Sequence, residues 1–220
     1  MSADPGPSGL TSFAGWDVRG GSGARPGAAE AFGRVPSDPS AEARYELLAV
    51  AARGFRPPRF LTVGDHPGGG GPGDGGPTEP DTDRFEGLRQ TWSLLYGRIA
   101  ETRPRAVVPF AIYLLGIDPP AGATDDELGV FNDFYTNVHL PEVAERRHAL
   151  RAERYELRRE VRAPYQGAPR FLAIYEVDEE SASNRRHTGP PYAKGPDVWQ
   201  RHRTPWRLWY RRLTDDAAVR

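Results

Sequence analysis

Two stretches of this chain occur twice. Arg44-Tyr45-Glu46-Leu47 and Arg154-Tyr155-Glu156-Leu157 are identical, and each is followed by Pro-Arg-Phe-Leu, at 58–61 and again at 169–172. The landmarks lie 110 and 111 residues apart, so the connector inside the unit differs by a single residue. A turn absorbs that change, whereas one extra residue in a helix would rotate everything after it by about 100°. The repeated piece therefore predicts a β-hairpin, and its recurrence at half the chain length predicts two related halves packed on each other.

Composition separates a poor first third from a core-forming remainder. The first 84 residues hold 17 of the 25 Gly and 11 of the 22 Pro. Residues 1–40 are expected to be loop or disordered, with Phe13 and Trp16 docking on the body. Gly64 to Asp83 is a second low-complexity stretch. It lacks the Gly-Lys-Ser/Thr and the strand-to-helix context of a phosphate loop. The formal charge of −1 gives no drive toward nucleic acid or an anionic membrane, and the absence of cysteine excludes disulfides and thiolate chemistry. With neither a signal-like start nor an 18-residue apolar run, a cytoplasmic protein is expected.

The second half reads cleanly. Residues 110–117 form an apolar run closed by Asp118-Pro119-Pro120, suiting a buried strand. Thr124 and Glu127 make a capping box for a helix carrying Leu128, Phe131, Tyr135 and Val138, and Pro141 opens a second, short helix. Hairpin strands near 152–161 and 170–178 follow, then a polar, weakly helical stretch, then a last strand at 206–213. The order strand-helix-strand-strand-helix-strand predicts a ferredoxin-like, split βαβ half over 105–214. A degenerate half is expected over 41–104, with hairpin strands at 43–52 and 58–63 and an amphipathic helix at 82–100. Its opening strand is expected to be lost, and residues 105–108 are the only candidate for its last strand. The predicted class is α+β, with two ferredoxin-like halves forming a barrel within one chain.

The segment Phe131 to Glu142, Phe-Asn-Asp-Phe-Tyr-Thr-Asn-Val-His-Leu-Pro-Glu, is the densest candidate for chemistry. His139 lies one turn beyond Tyr135 on the same helical face, and imidazole near its ordinary pKa can accept a proton from a phenol or a 1,3-dicarbonyl. Placed at a helix end, the protonated ring would be favoured, although a terminal histidine can also simply cap carbonyls. An aromatic residue, three residues, then His-x-Pro at the end of the first helix resembles the EthD-like branch of the dimeric α+β-barrel superfamily, over roughly 106–213.

That resemblance implies a cofactor-independent enzyme acting on a polycyclic aromatic, polyketide-like molecule. Proton abstraction by His139 would lead to oxygenation, as in a mono-oxygenase-like oxidoreductase of antibiotic biosynthesis; dehydration or cyclisation by a lyase, or binding without catalysis, are the alternatives. The site would comprise His139, Tyr135 and Asn132 as catalytic residues. Phe134, Asn137, Tyr113, Tyr175, Trp199, Trp206 and Tyr210 would line the substrate cavity, since aromatic walls suit flat ligands. Arg170 or Arg207 could steady an enolate. No cofactor and no metal are expected, because the other histidines, His66, His148, His187 and His202, have no ligand spacing among them. Tandem relatives that bind haem would place His139 as the axial ligand. The expected partner is the small aromatic substrate alone, with no nucleic acid and no membrane, and the chain is expected to be a monomeric pseudo-dimer or a homodimer.

Overall fold

In a computed structural model of the chain, described for residues 9–18, 32, 42–50, 56–66, 87–104, 106–162, 167–184 and 191–213, the repeated hairpins stand where the duplication places them. The strands are β1 (Leu10–Val18), β2 (Glu42–Val50), β3 (Phe60–His66), β4 (Leu88–Glu101), β5 (Ala111–Asp118), β6 (Arg151–Arg162), β7 (Phe171–Val177) and β8 (Arg203–Leu213). The helices are α1 (Asp125–Phe134), continued by a π-helical turn (Tyr135–His139) into α2 (Leu140–Arg146), then α3 (Glu179–Ser183) and α4 (Asp197–Gln200). Among the described residues, no helix is long and apolar enough to cross a membrane.

All strand pairings are antiparallel, and they close in the order β1-β3-β2-β8-β5-β7-β6-β4. The expected α+β architecture of two ferredoxin-like halves is thereby corrected to one closed eight-stranded antiparallel barrel with few helices. The physical reason is edge satisfaction. Each quartet of strands has two edges with unpaired backbone groups, and pairing β2 with β8 and β4 with β6 removes all of them.

Two further expectations change. The segment expected as an amphipathic helix at 82–100 is β4 where it is described, because Trp92, Leu94 and Tyr96 turn inward at strand period and the strand is buried between β1 and β6. The apolar residues at 88, 92, 95 and 99 match helical spacing too, and burial on both faces decided for the strand. The opening strand of the first half is also present, as β1, inside the stretch expected to lack structure; Phe13 and Trp16 are its buried residues. Val107 and Val108 are exposed and belong to no strand.

Pseudo-twofold pairs show how the duplication packs. Trp92 and Trp206 stack across the interior with centroids 4.6 Å apart and planes 10° from parallel. Asp17 accepts the backbone N–H of Arg59 at 3.0 Å, as Asp118 accepts that of Arg170 at 2.8 Å. A Cβ on Gly15 would come within 2.5 Å of the Pro58 ring, and one on Gly116 within 2.6 Å of the Pro169 ring. The barrel is filled by side chains such as Phe13, Tyr45, Tyr155 and Leu208. Outside it, α1, the π-turn, α2 and α4 cover the second half's outer face, while Phe32, Phe60, Trp16 and Leu88 cluster on the first half.

Candidate functional site

The helical side of the second half is organised from its first turn. Thr124 caps α1 reciprocally with Glu127, and three acidic residues there complement the helix dipole. The register so fixed turns Phe131 and Tyr135 onto the sheet. The π-turn then widens the coil by one residue, with the Leu140 N–H donating to the Tyr135 carbonyl, and buries His139 beside Tyr135. Pro141, which has no N–H to give the preceding turn, follows directly on this π-turn in the first turn of α2.

Residues 191–200 form a strap over these helices. The Ala193 N–H donates to the Glu142 carboxylate at 3.1 Å, Arg146 donates to the Pro191 carbonyl at 3.3 Å, and Arg201 pairs with Glu127 at 2.6 Å. Gly195, at φ +67°, lies so close to Phe134 and Trp199 that a Cβ would meet them at 2.6–2.7 Å. This close approach sets the Trp199 ring 4.6 Å from that of His139. Tyr135, Tyr192 and Phe134 stand at 5.7, 5.4 and 6.4 Å.

His139 is 8% exposed, and its Nδ1 is buried without a hydrogen bond. Desolvation first, then the positive charges of His202 and Arg146, push its pKa down to about 4. The expected stabilisation of a protonated ring by a helix end is corrected, because the helix runs on to Arg146 and His139 does not stand at its end. The imidazole is neutral at pH 7.

Tyr135, Tyr113 and Tyr175 share one packed cluster with Phe131 and Trp199 between helices and sheet. Burial pushes all three phenols upward, Tyr135 and Tyr175 most, so each is a donor and none a base. The hydroxyls of Tyr135 and Tyr175 are buried without partners, a condition that costs about 1–3 kcal/mol per group.

Other expected site residues lie elsewhere. Asn132 is engaged, its Oδ1 accepting from Arg154 at 2.6 Å, and Asn137 faces solvent. Phe134 is half-buried against Trp199. Trp206 and Tyr210 are inside the barrel, on the opposite side of the sheet from His139. Arg170 pairs with Glu156, and Arg207 is exposed. His187 and the side chain of His66 fall outside the described residues.

Sequence reasoning missed Arg154. It is 1% exposed, lies 4.2 Å over the Tyr135 ring and 4.5 Å over that of Phe171, and also donates to Thr136 at 2.8 Å. Desolvation pushes its pKa down to about 10. The available signal was an arginine kept in both copies of the repeat, since its twin Arg44 is buried as well. Tyr192, Arg146 and Arg147, which rests over Tyr113 at 4.9 Å, also went unmarked.

Fold and site together define a closed antiparallel barrel, made from a duplicated four-strand unit, that carries a neutral buried histidine under a strapped helical layer on one half. No family model and no curated relative matches the sequence. Two solved structures are similar over most of the chain. One, provisionally assigned as a chlorite dismutase, has a TM-score of 0.49 and 10% identity, covering 96% of this chain and 97% of its own. The other, a haem-binding protein from Thermus thermophilus identified from its structure, has a TM-score of 0.49 and 8% identity, covering 96% of this chain and 93% of its own. The closed eight-stranded barrel replaces the ferredoxin-like halves on which the EthD-like resemblance rested, and the cofactor-free tailoring function drawn from it, with its antibiotic-biosynthesis setting, falls with it. An aromatic residue four positions before His-x-Pro fits any helix that passes through a turn before a proline, so it does not discriminate.

Proposed function

We propose that the helical side of the second half binds a haem-type metallo-macrocycle, with His139 as the residue that would hold its metal. One observation carries this reading: a histidine buried among aromatic rings and held in its neutral form. The two similar structures are too distant to add weight.

The donor set fits the group. A neutral imidazole is the ligating form, and a pKa near 4 keeps protons from competing for it over the ordinary pH range. Because Nδ1 is sealed, ligation falls to Nε2. Phe134, Tyr192 and Trp199 supply apolar walls. The bound group would supply iron redox and Lewis-acid chemistry. This chain's own residues orient His139, exclude water and cover the site.

Admitting so large a ligand requires residues 191–200 to lift. The polar contacts that fasten them, from Glu142, Arg146 and Glu127, are exposed or half-exposed ones that water can replace. The floor of the site is held differently: Tyr135 is clamped by Arg154 from the sheet side. Opening is therefore assigned to the strap and rigidity to the helix.

Titration of the purified protein with haemin, followed by absorption, tests the reading. A saturable Soret shift at one equivalent, lost in His139→Ala, is expected; no saturable shift, or one indifferent to the substitution, contradicts it.

A further inference from the structure

We propose that Tyr113, Tyr135, Tyr175 and Arg147 form a binding site for a small planar oxyanion of the carboxylate kind, between the sheet and the helices of the second half. The site needs no iron and is distinct from the ligating nitrogen of His139.

Four observations converge on it. The hydroxyls of Tyr135 and Tyr175, both on fully buried side chains, have no hydrogen-bond partner. Tyr113 and Tyr175 are register partners on β5 and β7 with centroids 5.9 Å apart, and the Arg147 guanidinium lies 4.9 Å over Tyr113 and 5.6 Å over Trp209. Tyr135 belongs to the same packed cluster as Tyr113 and Tyr175, between the helices and the sheet, within electrostatic reach of both. The full charges that act most strongly on the three are guanidinium groups, Arg147, Arg154 and Arg207, and none is a carboxylate. Phenol donors in a positive, desolvated setting match an acceptor with two oxygens and one negative charge.

The duplication supplies a control within the molecule. Counting from the equivalent glycines, Gly15 and Gly116, the position of Tyr113 is Ser12 in the first half. Tyr113 pairs in register with Tyr175 and Trp209; Ser12 pairs with Gly64 and Leu95. The same barrel geometry is therefore built without a single aromatic ring at these three positions. The barrel strands alone do not require aromatic rings there; the second half differs in carrying a helical layer packed over these positions, and it is the unpartnered hydroxyls beneath that layer that point to a ligand.

Calorimetry with sodium formate, against sodium chloride at equal ionic strength, tests this on the iron-free protein, so its outcome is separate from that of haemin binding. Saturable formate binding at one equivalent is expected, weakened at least tenfold in Tyr135→Phe/Tyr175→Phe, which keeps both rings and their packing, and weakened also in Arg147→Met. Should the double variant fail to fold by circular dichroism, Tyr175→Phe alone is expected to show the same weakening. Absence of saturable binding in the unaltered protein would assign the phenols to internal water and overturn the proposal. Equal affinity in the phenylalanine variants would place the anion elsewhere and overturn it as well.

Discussion

Tyr96, on β4 of the first half, donates its buried hydroxyl to the carbonyl of Pro169 in the second half at 2.8 Å. Tyr210 reciprocates across the barrel, donating to Pro58 at 3.0 Å. These bonds tie the last strand of each half to the hairpin of the other. Tyr96→Phe and Tyr210→Phe each leave a buried carbonyl unpaired, and each is expected to lower unfolding free energy by about 1–2 kcal/mol in urea denaturation. Near-equal effects are expected because the environments are related by the duplication.

Gly15 and Gly116 are the positions where β1 and β5 press against Pro58 and Pro169, and alanine at either would place a methyl group inside van der Waals contact with a proline ring. Gly15→Ala and Gly116→Ala are each expected to destabilise by about 1–3 kcal/mol, read from denaturation midpoints.

Arg154 is a buried cation without a carboxylate partner among its hydrogen bonds, held by Asn132, Thr136 and two ring faces. Lysine would keep the desolvated charge and lose both the planar stacking and the fork of donors. Arg154→Lys is expected to destabilise by about 2–4 kcal/mol, and the apolar Arg154→Met by about 1.5 kcal/mol or less, since removing both charge and its desolvation is cheap. The order of the two midpoints is the measurement.

His139 links stability to pH. Its folded pKa of about 4 lies below the unfolded value of 6.5, so the unfolded chain binds the proton first. Its contribution is fully present above pH 6.5 and declines as pH falls through the window from 6.5 to 4, the loss reaching about 3 kcal/mol at the lower limit. His139→Gln is expected to flatten that part of the profile, seen as the difference between the two proteins' urea curves from pH 7 to pH 4.

The duplicated hairpins were legible because identical letters at a nearly constant offset leave little freedom, and the capping box at Thr124 was legible because its two hydrogen bonds are local. A barrel within the chain was expected, but the strand pairs that close it were not legible, since nothing in the strands Glu42–Val50 and Arg203–Leu213 taken singly says that they pair with each other. The strand at 88–101 was hidden by apolar spacing that serves a helix equally well. Its counterpart was nonetheless visible: Trp92 and Tyr96 repeat the four-residue spacing of Trp206 and Tyr210. At the site, His139, Tyr135, Phe134 and Trp199 were legible from one aromatic-rich segment and its surroundings. Arg154 was concealed by the expectation that arginine on a strand faces water, and Trp206 and Tyr210 were misplaced because alternation identifies two faces of a strand without saying which one lines the barrel.

The functional reading depends on an imidazole at position 139 that remains neutral with a nitrogen free to bind. Long-range proton–nitrogen NMR correlation of the histidine side chains across a pH titration measures this directly. His139 is expected to stay neutral at pH 6 and to titrate near 4; titration of His139 near 6.5 would contradict the account.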